Sequence, residues 1–455
     1  MLPAAMLAGL AILTGCLPPG MPDQITTASD SHRLLVGLTA QASPAQRFKG
    51  VQAQALLPER HVYQLSLPNA ASAAAWLQRL QQQADVRFAE TDQSWQLPEL
   101  RPEPALPDLQ AGFSLQNIPP NDPEYALQWN LQLIDMEAAW ARRSEAPEVT
   151  VAVIDSGVDP EHPDLAPHLL PLEDVWGELG GEDILVARRA GLRFDYRGRD
   201  GNGHGTHVAG IIAAVSNNAE GIAGIAGGGV RLLPIKVTNL TGTTNSRLLI
   251  EALRRAIAQK ADVINMSIGT LNPEFGGVPR ALREAIELAQ AEGIVVVAAS
   301  GNESDRRNRE VLGVTLPAAY PGVIAVGAAT AEGTVANYSN GGPELDLLAP
   351  GGEGNIRFGG QPVLSTWTSY PSFEYLQGRV RTLSYAYTTG TSMAAPHVSA
   401  VAALLKAQEP DLSPAQIRAR LIATATPPEG KNDDKGYGLL NAARALQFTD
   451  HDALF

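Results

Sequence analysis

The chain has 455 residues, 44% of them hydrophobic, so it can bury a large core and has room for about three domains of ordinary size. Its formal charge of −14 argues against nucleic acid as a partner, because phosphate binding needs clustered basic side chains. The small basic group Arg306, Arg307 and Arg309 is more simply a solvated loop. Cys16 is the sole cysteine, which excludes an intrachain disulfide and leaves stability to packing and bound ions.

The N-terminus is typical of an export signal. Residues 1–12 are apolar but shorter than a membrane span needs, and they lead into a Leu-Thr-Gly-Cys string that ends at Cys16. This string resembles the lipoprotein signal of bacteria. The resemblance implies that residues 1–16 form the signal and that a lipid on Cys16 tethers an exported protein to the cell envelope. No lysine or arginine precedes Arg33, so signal cleavage with a soluble, extracellular product is the alternative.

Residues 31–97 have the pattern of a small α+β unit. Apolar and β-branched runs predict strands over residues 33–38, 61–67 and 86–90. An amphipathic, alanine-rich pattern predicts a helix over residues 70–84, which on its own is also typical of a packed helix in an unrelated domain. A proline-rich tract follows over residues 98–120, and its composition predicts an extended, accessible linker.

A carboxylate follows the first strand of the larger region. The β-branched run 149–154 predicts a buried strand, and it leads directly into an Asp-Ser-Gly-Val-Asp string that begins at Asp155. Such a strand delivers a side chain to the C-terminal edge of a sheet, so Asp155 is the candidate orienting acid. Ser156 and Asp159 are typical turn formers. Residues 173–199 mix glycine with both charges, which predicts a surface loop or a segment that shapes substrate access.

A histidine lies on a glycine-rich turn shortly afterwards. The string Asp-Gly-Asn-Gly-His-Gly-Thr-His occupies residues 200–207 and enters a helix of small residues, so His204 is the candidate general base. His207 follows three residues later, but the HExxH pattern of a zinc site is absent from the sequence. We therefore interpret His207 as a structural residue.

The rest of the region alternates strands with helices, which predicts an α/β fold with a parallel sheet and helices on both faces. The predicted strands are 232–237, 263–268, 294–299 and 323–328, and the predicted helices are 246–259, 280–292, 392–407 and 414–424. The third of these strands leads into Ser300, Gly301 and Asn302. Residues 439–446 close the domain, and 447–455 form a short tail.

A serine stands at the start of the last long helix. The string Gly-Thr-Ser-Met-Ala-Ala-Pro-His spans residues 390–397. Its small residues allow a tight turn, and the N–H groups at the start of a helix favour negative charge at Ser392. Alone, this string is equally typical of a helix cap. With Asp155 and His204, however, it completes the set needed to take a proton from a hydroxyl and return it to a leaving amine.

These three strings, in the order Asp, His, Ser, resemble those of the subtilisin-like serine proteases, and the resemblance covers residues 121–446. It implies a subtilisin-like α/β fold and a serine endopeptidase acting through Asp155, His204 and Ser392, without a catalytic cofactor. In this family the Asn302 side chain and the Ser392 backbone N–H would hold the oxyanion. His397, within the Ser392 helix, is interpreted as a packed residue.

The same resemblance implies three further features. Residues 31–97 would be an inhibitory prosegment, removed by self-processing between residues 98 and 121. The primary substrate pocket would have small, apolar walls that favour an uncharged residue, lined by Ser267, Ile268, Gly269, Ala299, Ser300 and Gly301. A structural calcium ion would bind the side-chain oxygens of Asp122, Asp164 and Asn217, although such residues are more often turn formers.

Two rival functions follow from the same residues. A catalytically inactive, surface-tethered binding protein on this fold is disfavoured because the acid, base, serine and asparagine are all present. An esterase on an α/β-hydrolase fold would need a Gly-x-Ser-x-Gly string and a different chain order, whereas the string around Ser392 is Gly-x-Ser-x-Ala.

Overall fold

The computed structural model describes residues 32–98, 120–141, 148–180, 196–270, 279–354, 359–427 and 430–448. Cys16, most of the predicted linker and most of the predicted tail lie outside these residues. The described chain forms a small N-terminal α+β unit packed on a larger α/β unit. No helix among the described segments is long and apolar enough to cross a membrane.

The N-terminal unit is an antiparallel sheet with one substantial helix. Its elements are β1 Arg33–Leu38, α1 Pro44–Arg47, β2 Gln52–Leu57, β3 Val62–Ser66, α2 Ala70–Gln81 and β4 Val86–Thr91, and a short strand β5, Ser94–Gln96, follows. The sheet order is β2-β3-β1-β4. Helix α2 begins after Asn69, whose side chain accepts the N–H of Ser72, and it ends at Gln81, three residues before the predicted end.

The larger unit is built on a seven-stranded sheet of order β13-β12-β11-β10-β6-β8-β7, and all its neighbours pair in parallel. The strands are β6 Val149–Asp155, β7 Glu173–Asp174, β8 Val230–Lys236, β10 Val263–Met266, β11 Val295–Ala299, β12 Ile324–Ala329 and β13 Leu347–Pro350. The predicted α/β fold is confirmed. Three short strands lie outside this sheet: β9 Thr243–Asn245, β14 Val363–Thr366 and β15 Tyr385–Thr388.

Helices cover both faces of the sheet. They are α3 Trp129–Leu133, α4 Met136–Trp140, α5 His204–Ala213, α6 Ser246–Ala258, α7 Arg280–Ala291, α8 Phe373–Leu376, α9 Thr391–Gln408, α10 Pro414–Ala423 and α11 Ala442–Gln447. Alternate residues of a strand point to opposite faces, so Val151 and Val153 pack in the cluster with α5 and α9, while Ala152 and Ile154 pack in the cluster with α6 and α7.

The N-terminal unit docks on the α6 and α7 face. Leu35 and Phe88 share an apolar cluster with residues of both helices. The Glu90 carboxylate accepts the backbone N–H groups of Arg280 and Ala281, at 2.9 and 3.0 Å, at the start of α7. A carboxylate satisfies the free donors of a helix N-terminus and favours its positive end. Both apolar burial and charge therefore hold the small unit in place.

Candidate active site

Asp155 and His204 are brought together by the end of β6 and the start of α5. The imidazole Nδ1 lies 2.8 Å from Asp155 Oδ1 and 3.0 Å from Oδ2, and both side chains are buried. This approach depends on Gly205, because a Cβ there would lie 2.1 Å from the backbone oxygen of Gly157. The two motifs predicted from separate strings therefore meet at hydrogen-bond distance.

The carboxylate determines which nitrogen of His204 can act as a base. Facing Asp155, Nδ1 carries the proton, which leaves the lone pair on Nε2. Nε2 is buried and has no hydrogen-bond partner among the described residues. Burial lowers the pKa of His204, but the negative charges of Asp155, Asp200 and Glu374 outweigh it and raise the pKa above its ordinary value of 6.5.

Ser392 lies in the first turn of α9 and is buried. Its hydroxyl donates to the backbone oxygen of Ser267 at 3.1 Å, and the Ser267 hydroxyl donates to the backbone oxygen of Ser392 at 2.8 Å. The bond from Ser392 to His204 is therefore not made in this structure. Such bonds are often unformed before substrate binds and tighten only in the reacting complex.

Asn302 follows β11, and its orientation is set by the start of α9. Its Oδ1 accepts both the backbone N–H and the hydroxyl of Thr391, each at 2.8 Å. Because the oxygen is used in this way, the amide NH₂ is the group left to donate elsewhere. Its Nδ2 lies 3.3 Å from where a Cβ of Gly390 would be, beside the turn that leads to Ser392.

The other two buried histidines of the motifs have structural contacts. The Nε2 atom of His207 lies 3.1 Å from the backbone oxygen of Ala386, and burial lowers the pKa of His207 to about 3. His397 contacts Asn130 and the backbone oxygen of Met393, and burial lowers its pKa to about 4. Both therefore stay neutral over the working range of a histidine base.

Three of the six predicted pocket residues line a cavity of about 190 Å³. Its walls include Gly269, Ala299 and Gly301, together with Glu303, Thr315, Thr391 and residues 96–98. Ser267 instead contacts Ser392, Ile268 is buried in the core cluster with α6 and α7, and Ser300 is also fully buried. No local pattern marked Glu303 and Thr315 as cavity residues. Thr315 reaches the cavity only because the loop after β11 folds back, where a Cβ on Gly269 would meet its Oγ1 at 2.7 Å.

A segment of the chain itself lies along this cleft as an extended strand. Strand β5 pairs antiparallel with β9, and Gln96 also bridges to Gly269 on the other side. The Leu97 N–H continues the pairing by donating to the backbone oxygen of Gly242 at 2.8 Å. Trp95 is buried, and its indole N–H donates to the Ser246 hydroxyl at 2.9 Å. Residues 94–98 thus bind as a peptide added to an exposed strand would.

The predicted calcium ligands lie around one loop, but their oxygens accept protein donors. Asp122 Oδ2 accepts the N–H of Asn217 at 2.9 Å, and Asp164 Oδ2 accepts the N–H of Ile222 at 3.1 Å. Burial raises the pKa of Asp164 from 3.8 to about 6. A carboxylate oxygen has a second lone pair, and hard oxygens suit calcium, so the donor set fits the ion. Within the described segments no three histidine, cysteine or acidic residues form a metal-binding group.

Comparison with known proteins relates the whole arrangement to one family. A model described as the Subtilase family matches residues 146–439. Subtilisin DY of Bacillus licheniformis is 35% identical over 319 residues, which cover 70% of this chain and 98% of that protein. Subtilisin of Bacillus pumilus is 36% identical over 299 residues, covering 66% of this chain and 91% of that protein.

Two solved structures are also similar. Fervidolysin from Fervidobacterium pennivorans, described as a keratinolytic enzyme related to subtilisin, superposes with a TM-score of 0.72 and 26% identity. The match covers 92% of this chain and 61% of the longer fervidolysin chain. A protease from Pseudoalteromonas arctica superposes with a TM-score of 0.59 and 32% identity, covering 72% of this chain and 99% of that one.

Proposed function

This chain belongs to the subtilase family and is a serine endopeptidase, and we propose that Asp155, His204, Ser392 and Asn302 carry out its reaction. The observation that carries this assignment is the buried Asp155–His204 pair, whose free Nε2 has no other partner among the described residues. Alternative bases are disfavoured, because His207 and His397 are engaged in structural contacts.

The proposed reaction begins when the Ser392 hydroxyl leaves the Ser267 oxygen and turns to His204 Nε2. Its oxygen attacks the peptide carbonyl carbon while Nε2 takes its proton, and Asp155 stabilises the imidazolium that forms. The Asn302 side chain and the Ser392 backbone N–H donate to the oxyanion. His204 then gives its proton to the leaving amine as the C–N bond breaks. In the second half of the reaction, His204 takes a proton from a water molecule that attacks the acyl-serine ester, and then returns it to the Ser392 oxygen as the ester bond breaks.

Variants of the two reacting residues test this assignment. Removing the serine or the histidine of subtilisin costs roughly 10⁶ in kcat, and we expect losses of that order for Ser392→Ala and His204→Ala. Ser413→Ala and His168→Ala are matched controls, because Ser413 caps α10 and His168 bonds to the Ala213 oxygen at the end of α5 opposite His204. Full activity of either active-site variant on a peptide substrate contradicts the assignment.

We further propose that residues 31–97 are an inhibitory prosegment and that the precursor processes itself between residues 98 and 121. The support is the strand β5, which occupies the cleft where an extended substrate would pair, and the docking of the small unit on α6 and α7. If wild-type precursor is shortened in this interval and the Ser392→Ala precursor is not, self-processing is supported. Equal shortening of both would implicate another protease.

Two finer assignments complete the proposal. Export, with a lipid on Cys16 as a tether, is supported by the N-terminal string, and the intact mass of the native protein tests it: an unmodified or missing cysteine excludes the tether. A structural calcium ion at Asp122, Asp164 and Asn217 is supported by their shared loop and oxygen chemistry. An unchanged melting temperature in excess chelator excludes it.

A further inference from the structure

The loop that carries the candidate base is covered by the segment between β14 and β15, residues 367–384. The indole of Trp367 lies against Gly203, where a Cβ would be 2.2 Å from the ring. The N–H of Phe373, at the start of α8, donates to the backbone oxygen of Gly201 at 2.8 Å. The indole N–H of Trp367 donates to the Ser372 hydroxyl at 3.2 Å. The covering segment is thus attached to the loop by both packing and a backbone hydrogen bond.

This segment places a carboxylate beside the loop. Glu374, on α8, is only 4% exposed, and its Oε1 lies 3.3 Å from the side-chain amide nitrogen of Asn202. The same amide uses its oxygen to accept the backbone N–H of His204 at 3.2 Å, and its nitrogen also donates to the Leu240 oxygen at 3.0 Å. A single side chain therefore connects the Glu374 carboxylate to the backbone of the base.

A buried carboxylate is costly unless it is compensated. Glu374 has the Arg379 guanidinium at 3.1 Å, although that side chain is 34% exposed and therefore partly screened. An acid needed only for local stability could meet Arg379 at the surface, as most ion pairs do. Glu374, itself part of the covering segment, instead has an Oε1 that lies 3.3 Å from the Asn202 amide nitrogen as well as 3.4 Å from Arg379, and the contact with Asn202 points to a role beyond the ion pair.

We propose that Glu374 is a positioning residue for the catalytic base: through Asn202 it holds the start of α5, and its negative charge stabilises the imidazolium form of His204. This inference rests on the proposed function, in which His204 becomes positively charged as Ser392 attacks. A fixed negative charge near that ring stabilises the transition state more than the ground state.

Several charged groups surround His204, and Glu374 acts together with them. Asp155 contacts the ring from the end of β6, Asp200 lies in the preceding loop with the Lys236 ammonium of β8 near it, and His207 is on α5 itself. The charge of Glu374 contributes to the raised pKa of His204, after the larger effects of Asp155 and Asp200. Burial raises the pKa of Glu374, while Arg379 and His204 oppose that rise.

The test is the pH dependence of kcat/KM for a peptide substrate in the Glu374→Gln variant. Glutamine keeps the size and the oxygen that accepts from Asn202, so the substitution removes the negative charge and, with it, the ion pair to Arg379. We expect the acid limb to move to lower pH by a few tenths of a unit up to about one unit, with kcat reduced roughly three- to tenfold and KM unchanged. A merely structural role would lower activity without moving the acid limb.

Glu161→Gln is the matched control, because this carboxylate is 67% exposed and paired with Arg199. It is expected to leave the acid limb in place. An unmoved limb in a folded Glu374→Gln protein overturns the proposal. If that variant does not fold, Asn202→Ala removes the connecting amide: a tenfold or greater loss of kcat with unchanged KM supports the connection, and an unchanged kcat overturns it.

A second measurement separates this proposal from the proposed function. In full-length Ser392→Ala protein the imidazole of His204 can be titrated by NMR, with and without Glu374→Gln. A lower His204 pKa in the double variant supports the coupling between Glu374 and His204, whether or not the wild-type protein hydrolyses peptides. A wild-type protein that hydrolyses no peptide would contradict only the enzyme assignment. Equal titration curves overturn the coupling while leaving that assignment intact.

Discussion

Trp95 offers a direct test of how the N-terminal unit occupies the cleft, and Trp95→Ala is the perturbation. The indole is 2% exposed in the apolar cluster with Leu248 and Leu249, and it donates to Ser246. A buried tryptophan removes about 150–250 Å² from water, or roughly 4–6 kcal/mol at about 25 cal/mol per Å². Alanine keeps part of this burial, and lost hydrogen bonding adds about 1 kcal/mol, so we expect a cost of roughly 3–5 kcal/mol.

That cost weakens docking of the segment by a factor of roughly 10² to 10³ or more. The assay is the delay before peptide hydrolysis begins when freshly processed protein is diluted, because activity should appear as the N-terminal unit dissociates. The delay should shorten by a comparable factor in Trp95→Ala. Gln96→Ala is the control: its side chain contacts Thr241 and Thr243 at the surface, so a change below about tenfold is expected.

An equal delay, within about twofold, for wild type and Trp95→Ala with the same melting temperature would contradict this expectation. The strand β5 would then not occupy the cleft in solution. Trp95→Phe refines the test, because it keeps one aromatic ring but loses the hydrogen bond to Ser246 and part of the buried packing, so the delay should shorten less than in Trp95→Ala.

Further predictions concern the site and its surroundings. Because the pKa of His204 is raised and the base must be neutral, kcat/KM should rise with an apparent pKa above 6.5; a flat profile between about pH 6 and 8 contradicts histidine as base. Asn302→Ala should lower kcat by roughly 10² to 10³, the loss seen for the corresponding subtilisin asparagine, and an unchanged kcat excludes it from the oxyanion site. The pKa of Asp164 is raised from 3.8 to about 6, so its ionisation should lower the melting temperature as the pH rises from about 4 to 6. Calcium should reduce this dependence of the melting temperature on pH, because it binds the ionised carboxylate. A pH dependence that calcium leaves unchanged argues against the ion. Gln96 bridges antiparallel to Gly269, and continuing that register would set Pro98, which has no N–H to donate, opposite Ser267. The Pro98→Ala precursor should therefore be cut after residue 98 faster than wild type, as mass spectrometry of the fragments would show, and equal rates contradict this register.

Much of the larger unit was predictable because its information is local. Parallel strands that are buried on both faces are continuous apolar runs, so the sequence predicts β6, β10, β11 and β12. The strings that contain Asp155 and His204 lie next to predicted elements, Asp155 at the end of β6 and His204 at the start of α5. The strand β2 was missed because its first four residues are exposed and polar or small. Without an apolar face, this segment lacks the alternation of apolar and polar residues from which a strand is predicted.

What the sequence did not predict depends on contacts between distant segments. The bond of the Ser392 hydroxyl to the Ser267 oxygen, rather than to His204, joins residues 125 positions apart. Thr315 and Glu303 reach the cavity through loops after β11, and Glu374 reaches the base through Asn202. Local periodicity carries no signal for such contacts, because they depend on how the loops pack once the sheet has formed.

The most direct test of the central claim is to treat the mature protein and its Ser392→Ala variant with a fluorophosphonate that labels activated serines, and to follow protein mass and casein cleavage together. We expect one adduct on Ser392 and casein cleavage in wild type, with neither in the variant. If mature, folded wild type shows neither the adduct nor casein cleavage, the assignment of Ser392 as the nucleophile is contradicted and an inactive binding protein is favoured. Labelling without cleavage of casein or any peptide would point instead to an esterase.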